Sequence, residues 1–223
     1  MTLKEYRAKA REALTGKYWG ALAVCLLVSL IVGIVSGIGT LFETIAKNNG
    51  LNGVTGTVIA IVGAVFVTNP LIVGLNRYFI KSIKEKREVN DLAYPFQNGF
   101  SRTVTTMLLE TVYVMLWSLL FIIPGIVKSY SYYMVDYILA ENPQLETERI
   151  FEISKKAMDG YKMRAFLLQL SFIGYYILSI ITFGIGFVFL APYLSMAMTV
   201  FYDDVKKSAI ERGIIQPGEL PEE

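Results

Sequence analysis

Charged residues are missing from this chain in long, regularly placed runs. No Asp, Glu, Lys or Arg occurs from Tyr18 to Phe42, and none from Asn48 to Asn76. Thr103 to Ala140 is interrupted only by Glu110, Lys128 and Asp136, and the whole stretch from Ala165 to Tyr202 carries no charge. A helix crosses the ~30 Å hydrocarbon layer in about 20 residues. The first two runs therefore suffice for one span each, and the last two are long enough to fold back on themselves. Pro124-Gly125 and Gly184-Ile185-Gly186 lie near their middles, and these residue types end helices and permit tight turns.

The pattern predicts an all-α membrane protein with six transmembrane helices in three helical hairpins. The spans fall at about 18–42, 54–78, 103–123, 125–141, 165–183 and 186–204, within one membrane domain covering 1–212. Four spans with re-entrant segments is the alternative. Composition agrees, with 54% hydrophobic and only 18% charged residues, against roughly 45–50% and about 25% in soluble domains. The first apolar run is too long for the core of a cleaved signal, so cleavage is not expected.

Basic residues set the sidedness. All except Lys47 and Lys128 fall in four clusters: before span one, between spans two and three, between spans four and five, and after span six. Six spans place all four clusters, and both termini, on the cytoplasmic side. Two clusters sit in amphipathic segments, at about 2–15 and 146–160. Leu3, Tyr6, Ala10 and Leu14 share one helix face, as do Ile150, Ile153, Ala157 and Tyr161. Such segments fit either the headgroup layer, against anionic lipid, or a protein surface. The tail, 213–223, holds Pro217, Pro221 and three glutamates and reads as disordered.

A weak internal repeat runs through the chain. Gly16-Lys17-Tyr18, Gly99-Phe100-Ser101-Arg102 and Gly160-Tyr161-Lys162 each set a glycine, aromatic and basic residues before an apolar run. One constant, gapless offset pairs Arg102 with Arg164, Tyr113 with Tyr175 and Met134 with Met196.

The chain has no histidine and one cysteine, Cys25. That excludes an internal disulfide and imidazole-based catalysis. A formal charge of +2 argues against binding nucleic acid. No cofactor or metal is expected. Glu110, Lys128 and Asp136 are the candidate intramembrane polar site, because ionisable groups in lipid are costly. Glu110 and Asp136 lie about 12–14 residues from the Pro124 turn, hence at similar depth, where two carboxylates can share a proton or hold a cation, and Lys128 is expected to snorkel to the outer surface. Tyr130, Tyr132, Tyr133 and Tyr137 crowd the same region and read as packing or interface residues. Ser29, Gly33 and Gly37, with Gly56, Ala60 and Ala64, are small residues four apart and mark helix packing. Pro70 and Pro192 mark kinks.

Pro124-Gly125-Ile126-Val127-Lys128-Ser129-Tyr130-Ser131-Tyr132 and Tyr137-Ile138-Leu139-Ala140-Glu141-Asn142-Pro143 resemble the core of the domain-of-unknown-function 975 family. Ser154-Lys155-Lys156, Leu170-Ser171-Phe172-Ile173-Gly174, Gly184-Ile185-Gly186 and Pro192-Tyr193 are similar to the rest of its pattern. The resemblance implies a polytopic bacterial membrane protein and carries no activity. Tyr161 stands where relatives have a histidine, so a histidine-based role is not implied here. The expectation is a non-enzymatic protein of the bacterial cytoplasmic membrane. Its partners are the bilayer, with anionic lipids, and a protein partner or second copy. The alternative is a small ion or solute transporter, or transporter subunit, using Glu110 and Asp136.

Overall fold

The computed structural model describes residues 1–50, 54–84 and 87–221. Lys86 of the second basic cluster and the last two residues of the tail lie outside the described residues. The described chain is helical, without strands. Among the described residues, five helices are long and apolar enough to cross a membrane: Tyr18–Asn48, Val54–Ile83, Phe100–Leu120, Lys162–Ile181 and Ile185–Glu211.

Helix α1 (Leu3–Leu14) starts on a capping box formed by Thr2 and Glu5, which satisfies two otherwise orphan N–H groups. The next helix, α2 (Tyr18–Asn48), returns through α3 (Val54–Gly63), a wide π turn (Ala64–Thr68) and α4 (Asn69–Ile83). The π turn directly precedes Pro70, and the Asn69 N–H reaches the Ala64 carbonyl five residues back. The widened turn accommodates the proline, which has no N–H to give and crowds the preceding turn.

After a short 3₁₀ turn (Val89–Ala93) come α5 (Tyr94–Gln97), α6 (Phe100–Leu120), α7 (Ile122–Ser131), α8 (Val135–Glu141) and α9 (Thr147–Ala157). The chain ends with α10 (Lys162–Leu170), α11 (Ile173–Ile181) and the long α12 (Ile185–Glu211). Gly16, Gly99 and Gly160, the three glycines of the sequence repeat, all adopt positive φ, +67° to +81°. Each sits where the chain turns from a basic segment into an apolar helix, a backbone conformation that only glycine enters without strain.

The segment 125–141 is not one continuous helix. It breaks at Tyr132–Met134 into α7 and a buried α8. At ~1.5 Å per residue, ten-residue α7 is only about 15 Å long. The break is stable because Ser154 of α9, itself fully buried, fills the gap. Its hydroxyl donates to the Ser131 carbonyl at 3.0 Å and accepts the Met134 N–H at 3.2 Å. The segment 165–183 is similarly divided at Ser171–Phe172, where Arg7 of α1 donates to the Ser171 carbonyl at 3.4 Å.

The core surrounds the C-terminal half of α12. Met196, Ala197, Phe201, Val205 and Ala209 are fully buried there, together with Tyr6 and Ala10 of α1, Phe79 of α4, Ile138 and Leu139 of α8, and Ile150, Ile153 and Ala157 of α9. Protein therefore covers the apolar faces of both basic helices. The tail, expected to be disordered, folds back through Glu219 and Pro221. Ile215 and Leu220 are buried, and Arg149 grips Glu219 through Nε at 2.7 Å and Nη2 at 2.9 Å. Two apolar residues and one ion pair outweigh a loop-like composition.

The α6–α7 and α11–α12 hairpins close in the same way. A Cβ on Gly125 would lie 2.8 Å from Ser118 Cα, and one on Gly186 would lie 2.6 Å from Ser179 Cα. Each serine donates to the carbonyl four residues before it, Val114 or Tyr175. Gly125→Ala is expected to wedge its hairpin apart and cost about 1–3 kcal/mol, read as a lower unfolding temperature in detergent.

Arg149 also pairs with Glu152 at 2.8 Å. Arg149 holds the Glu219 carboxyl below its ordinary value, and Lys156 followed by Arg149 holds that of Glu152 at about 2. Carboxylates depressed in the folded state stabilise it fully above their ordinary value of 4.5, and that contribution fades as pH falls towards the depressed values. Arg149→Ala is expected to release the tail at neutral pH at a cost of roughly 1–3 kcal/mol, read as proteolysis within 213–221. In the parent chain the same cleavage is expected only on acidification below about pH 4.5.

Candidate functional site

Two polar constellations lie where the apolar hairpins leave the buried body. In the first, Glu110 of α6 lies within electrostatic reach of Asp136, which lies in the first turn of α8. The break before α8 makes the approach possible, because it turns the first residues of α8 towards α6. One turn earlier on α6, Thr106 Oγ1 bonds Thr147 Oγ1 of α9 at 2.9 Å. On α6, Glu110 lies between Thr106 and Tyr113, both of which touch α9, the latter through Phe151. Among the described residues no group of three or more His, Cys, Asp or Glu side chains is placed to hold a metal ion.

Lys128 does not join them. Its ammonium stands over the Trp117 ring, 4.7 Å from the centroid, and 5.9 Å from that of Tyr132. It lies within electrostatic reach of Lys155 and Lys162, at the end of α9 and the start of α10. The sequence places Lys128 near the opposite surface from those lysines by assuming an unbroken helix, whereas the helix ends at Ser131.

The second constellation was not anticipated. Arg7 and Arg11, one turn apart on α1, both reach over the base of the α11–α12 hairpin. Arg7 donates through Nε to the Tyr193 hydroxyl at 3.3 Å and through Nη2 to the Tyr175 hydroxyl at 3.3 Å. Arg11 contacts the same two hydroxyls at 3.1 and 3.3 Å. Arg7 also lies 5.3 Å from the Phe172 centroid, and Arg11 lies 5.4 Å from that of Tyr193. Beside them opens a cleft of about 680 Å³ lined by Leu14, Leu178, Ile185, Phe189 and Leu190, with Arg11 at its edge. The only sequence signal was the spacing of four between two arginines on a basic face. Nothing in the sequence paired them with two tyrosines near the other end of the chain.

The remaining sites fall as follows. Gly56 and Ala60 pack tightly on Gly39, a Cβ there lying 2.9 Å from Ala60 Cβ, and Gly63 faces Val35. Gly33 and Gly37 face open space. Ser29 lines a cleft with Cys25 and Tyr176, and Ala64 opens the π turn. The packing stripe of α2 is therefore offset from the one expected. Pro124 lies in the first turn of α7, and Gly184 caps α12 with φ +89°. Pro192 lies inside α12, where the Tyr18 hydroxyl donates to the nearby Phe189 carbonyl at 2.6 Å. Tyr133 bonds Tyr137 and the Met198 carbonyl, and Tyr137 stacks on Tyr202 with centroids 4.6 Å apart, so these rings build the core around α12. Cys25 is buried as a free thiol among apolar side chains of the core.

Comparisons with curated proteins and with solved structures gave no match. The sequence model of one family, described as "Protein of unknown function (DUF975)", matches residues 1–128 and 119–209. With almost its whole length matched, and with helices of membrane-crossing length and apolarity, this chain belongs to the DUF975 family and is a membrane protein.

Proposed function

We propose that this protein is a non-enzymatic organiser of anionic phospholipid at the cytoplasmic face of a bacterial cytoplasmic membrane. Both termini and the basic connectors face the cytosol. The observation that carries the reading is the pair Arg7 and Arg11, held over Tyr175 and Tyr193 beside an apolar cleft. A guanidinium has five N–H donors in a rigid fork suited to phosphate, and two stacked one turn apart make a phosphodiester-sized target. The cleft is lined by aliphatic and aromatic side chains of the kind that accept an acyl chain. The apolar faces of α1 and α9 are committed to protein, so these helices meet lipid through their basic side chains.

The chain reads as three hairpins, each leaving and re-entering the cytoplasmic side. The repeated glycine hinges and matching serine–glycine closures support one structural unit used repeatedly. Even numbers of crossings keep the basic clusters together, as the positive-inside rule requires.

Each cation near a charged surface contributes about 1 kcal/mol. Arg7→Gln with Arg11→Gln is therefore expected to reduce the anionic phospholipid retained through mild-detergent purification by about tenfold, measured by native mass spectrometry. Undiminished retention would contradict the reading.

The proximity of Glu110 and Asp136 favours a second reading, passage of a cation or proton. Glu110 lies on the part of α6 that meets the charged helix α9, whereas Arg7 and Arg11 border an apolar cleft, so the lipid reading is preferred. Proteoliposomes of the parent chain and of Glu110→Gln with Asp136→Asn are expected to show equal, background cation and proton flux. Flux abolished by those substitutions would favour the second reading.

A further inference from the structure

We infer that only the first hairpin, α2 to α4, crosses the bilayer, and that the α6–α7 and α10–α12 hairpins enter the cytoplasmic leaflet alone. The inference concerns depth and stands independently of which lipid is bound.

The cationic pins lie too close to the hairpin tips for full crossings. Lys128 stands over the Trp117 and Tyr132 rings, within electrostatic reach of Lys155 and Lys162. From Lys128 to the tip at Phe121 is seven residues, about 10 Å of helix. Along the other arm, α9 accompanies α6. Thr147 meets Thr106, and the Phe151 ring lies 5.4 Å from that of Tyr113. A helix bearing Glu148, Glu152, Lys155 and Lys156 thus runs beside α6 as far as Tyr113. If α6 crossed lipid, these charges would be carried into it.

In the third hairpin Arg7 and Arg11 sit at Tyr175 and Tyr193. From Tyr175 to Phe183 is eight residues and from Tyr193 to Gly184 is nine, about 12–14 Å of helix. That is less than half of a ~30 Å hydrocarbon layer. The helix breaks lie at the same level. Unpaired backbone is not tolerated against lipid, and here it is satisfied from the basic helices, by Ser154 at the first break and Arg7 at the second.

The tips themselves are built to be buried in lipid. Leu119, Leu120, Phe121, Ile122 and Ile123 are exposed, Ile122 at 76%, and the third tip exposes Ile180, Ile181, Phe183 and Ile185. Neither tip has a charged residue. Phe183 is 99% exposed at φ +52°, a strained conformation for a bulky residue. A wholly presented aromatic ring at such a position fits insertion into lipid, not contact with water.

The first hairpin differs in both respects. Its tip is polar, with Glu43 and Lys47 paired at 2.7 Å and Asn48 and Asn49 following. Ser29 of α2 still shares a cleft with Tyr176 and Phe187, close to the third tip. The helix then continues for nineteen residues to Asn48, about 28 Å, exposing Ile34, Ile38, Leu41 and Ile45. If the third tip reached the far surface, this apolar length would project into water. The molecule is therefore a wedge, broad in the cytoplasmic leaflet and two helices wide in the other, a shape that favours membrane bulging towards the cytosol.

Single cysteines at Asn49, Ile122 and Ile181 in a Cys25→Ala chain test this. With a membrane-impermeant maleimide, Asn49→Cys is expected to label in intact cells. Ile122→Cys and Ile181→Cys are expected to label neither there nor in inside-out vesicles, but fully after SDS. Bimane attached at 122 and 181 is expected to be quenched most by lipids brominated near the chain ends, placing both tips at the bilayer centre. Labelling of Ile122→Cys and Ile181→Cys in intact cells, with quenching strongest by headgroup-proximal bromine, would overturn the inference and restore six crossings.

Discussion

The rest of the structure depends on one packing arrangement, the enclosure of the C-terminal half of α12 by helices from across the sequence. Phe201 meets the edges of Tyr6, Tyr133 and Tyr161, and Tyr202 lies flat on Tyr137. One turn on, Lys206 pairs with Glu141 at 2.6 Å, their side chains only 8% and 6% exposed. Lys206 also donates to the Pro221 carbonyl. A buried pair contributes little net stability, but losing one partner leaves the other charge stranded. It therefore fixes how α8, α12 and the tail meet. Tyr6 donates to Asp204 on the same helix, and burial followed by that carboxylate raises its hydroxyl well above the ordinary value. The phenol stays protonated and keeps α1 attached.

From that body the apolar hairpins project with little support from one another. Beyond Ser29 the first is held mainly by its own glycine contact between α2 and α3, and the others by a serine set against a glycine. Close approach of small residues is how helices associate where lipid removes the hydrophobic drive. Within the body, large aromatic and aliphatic side chains do the same work by burial. One chain thus uses two packing regimes, and the arginines and lysines mark the border between them.

The apolar runs and the helix start at Gly184 were legible because each is a local pattern, and the break expected at Pro124 falls three residues earlier, at Phe121. The interruptions after Ser131 and Leu170 were not legible. Ser131-Tyr132-Tyr133-Met134 has no proline or glycine, and the helix ends there because a hydroxyl from α9 takes over its backbone bonds. Counting from the Pro124 turn set Glu110 and Asp136 at one level but assumed an unbroken helix after Lys128, whereas the helix ends at Ser131. Within the chain Gly39, not Gly33 or Gly37, makes the close contact with Gly56 and Ala60; a four-residue stripe does not reveal which of several small residues does so. Arg7 and Arg11 acquire meaning only when residues 175 and 193 are brought under them, a tertiary event without a local signature.

The central claim is that the aqueous body gathered around α12 lies on one side of the membrane and the polar tip of α2 on the other. The most direct measurement is sided labelling of Asp159→Cys and Asn49→Cys in otherwise cysteine-free chains, in intact cells and in inverted vesicles. Opposite reactivity is predicted, with Asn49 reached only from outside and Asp159 only from the cytoplasmic face. Reaction of both residues from the same side would contradict the account.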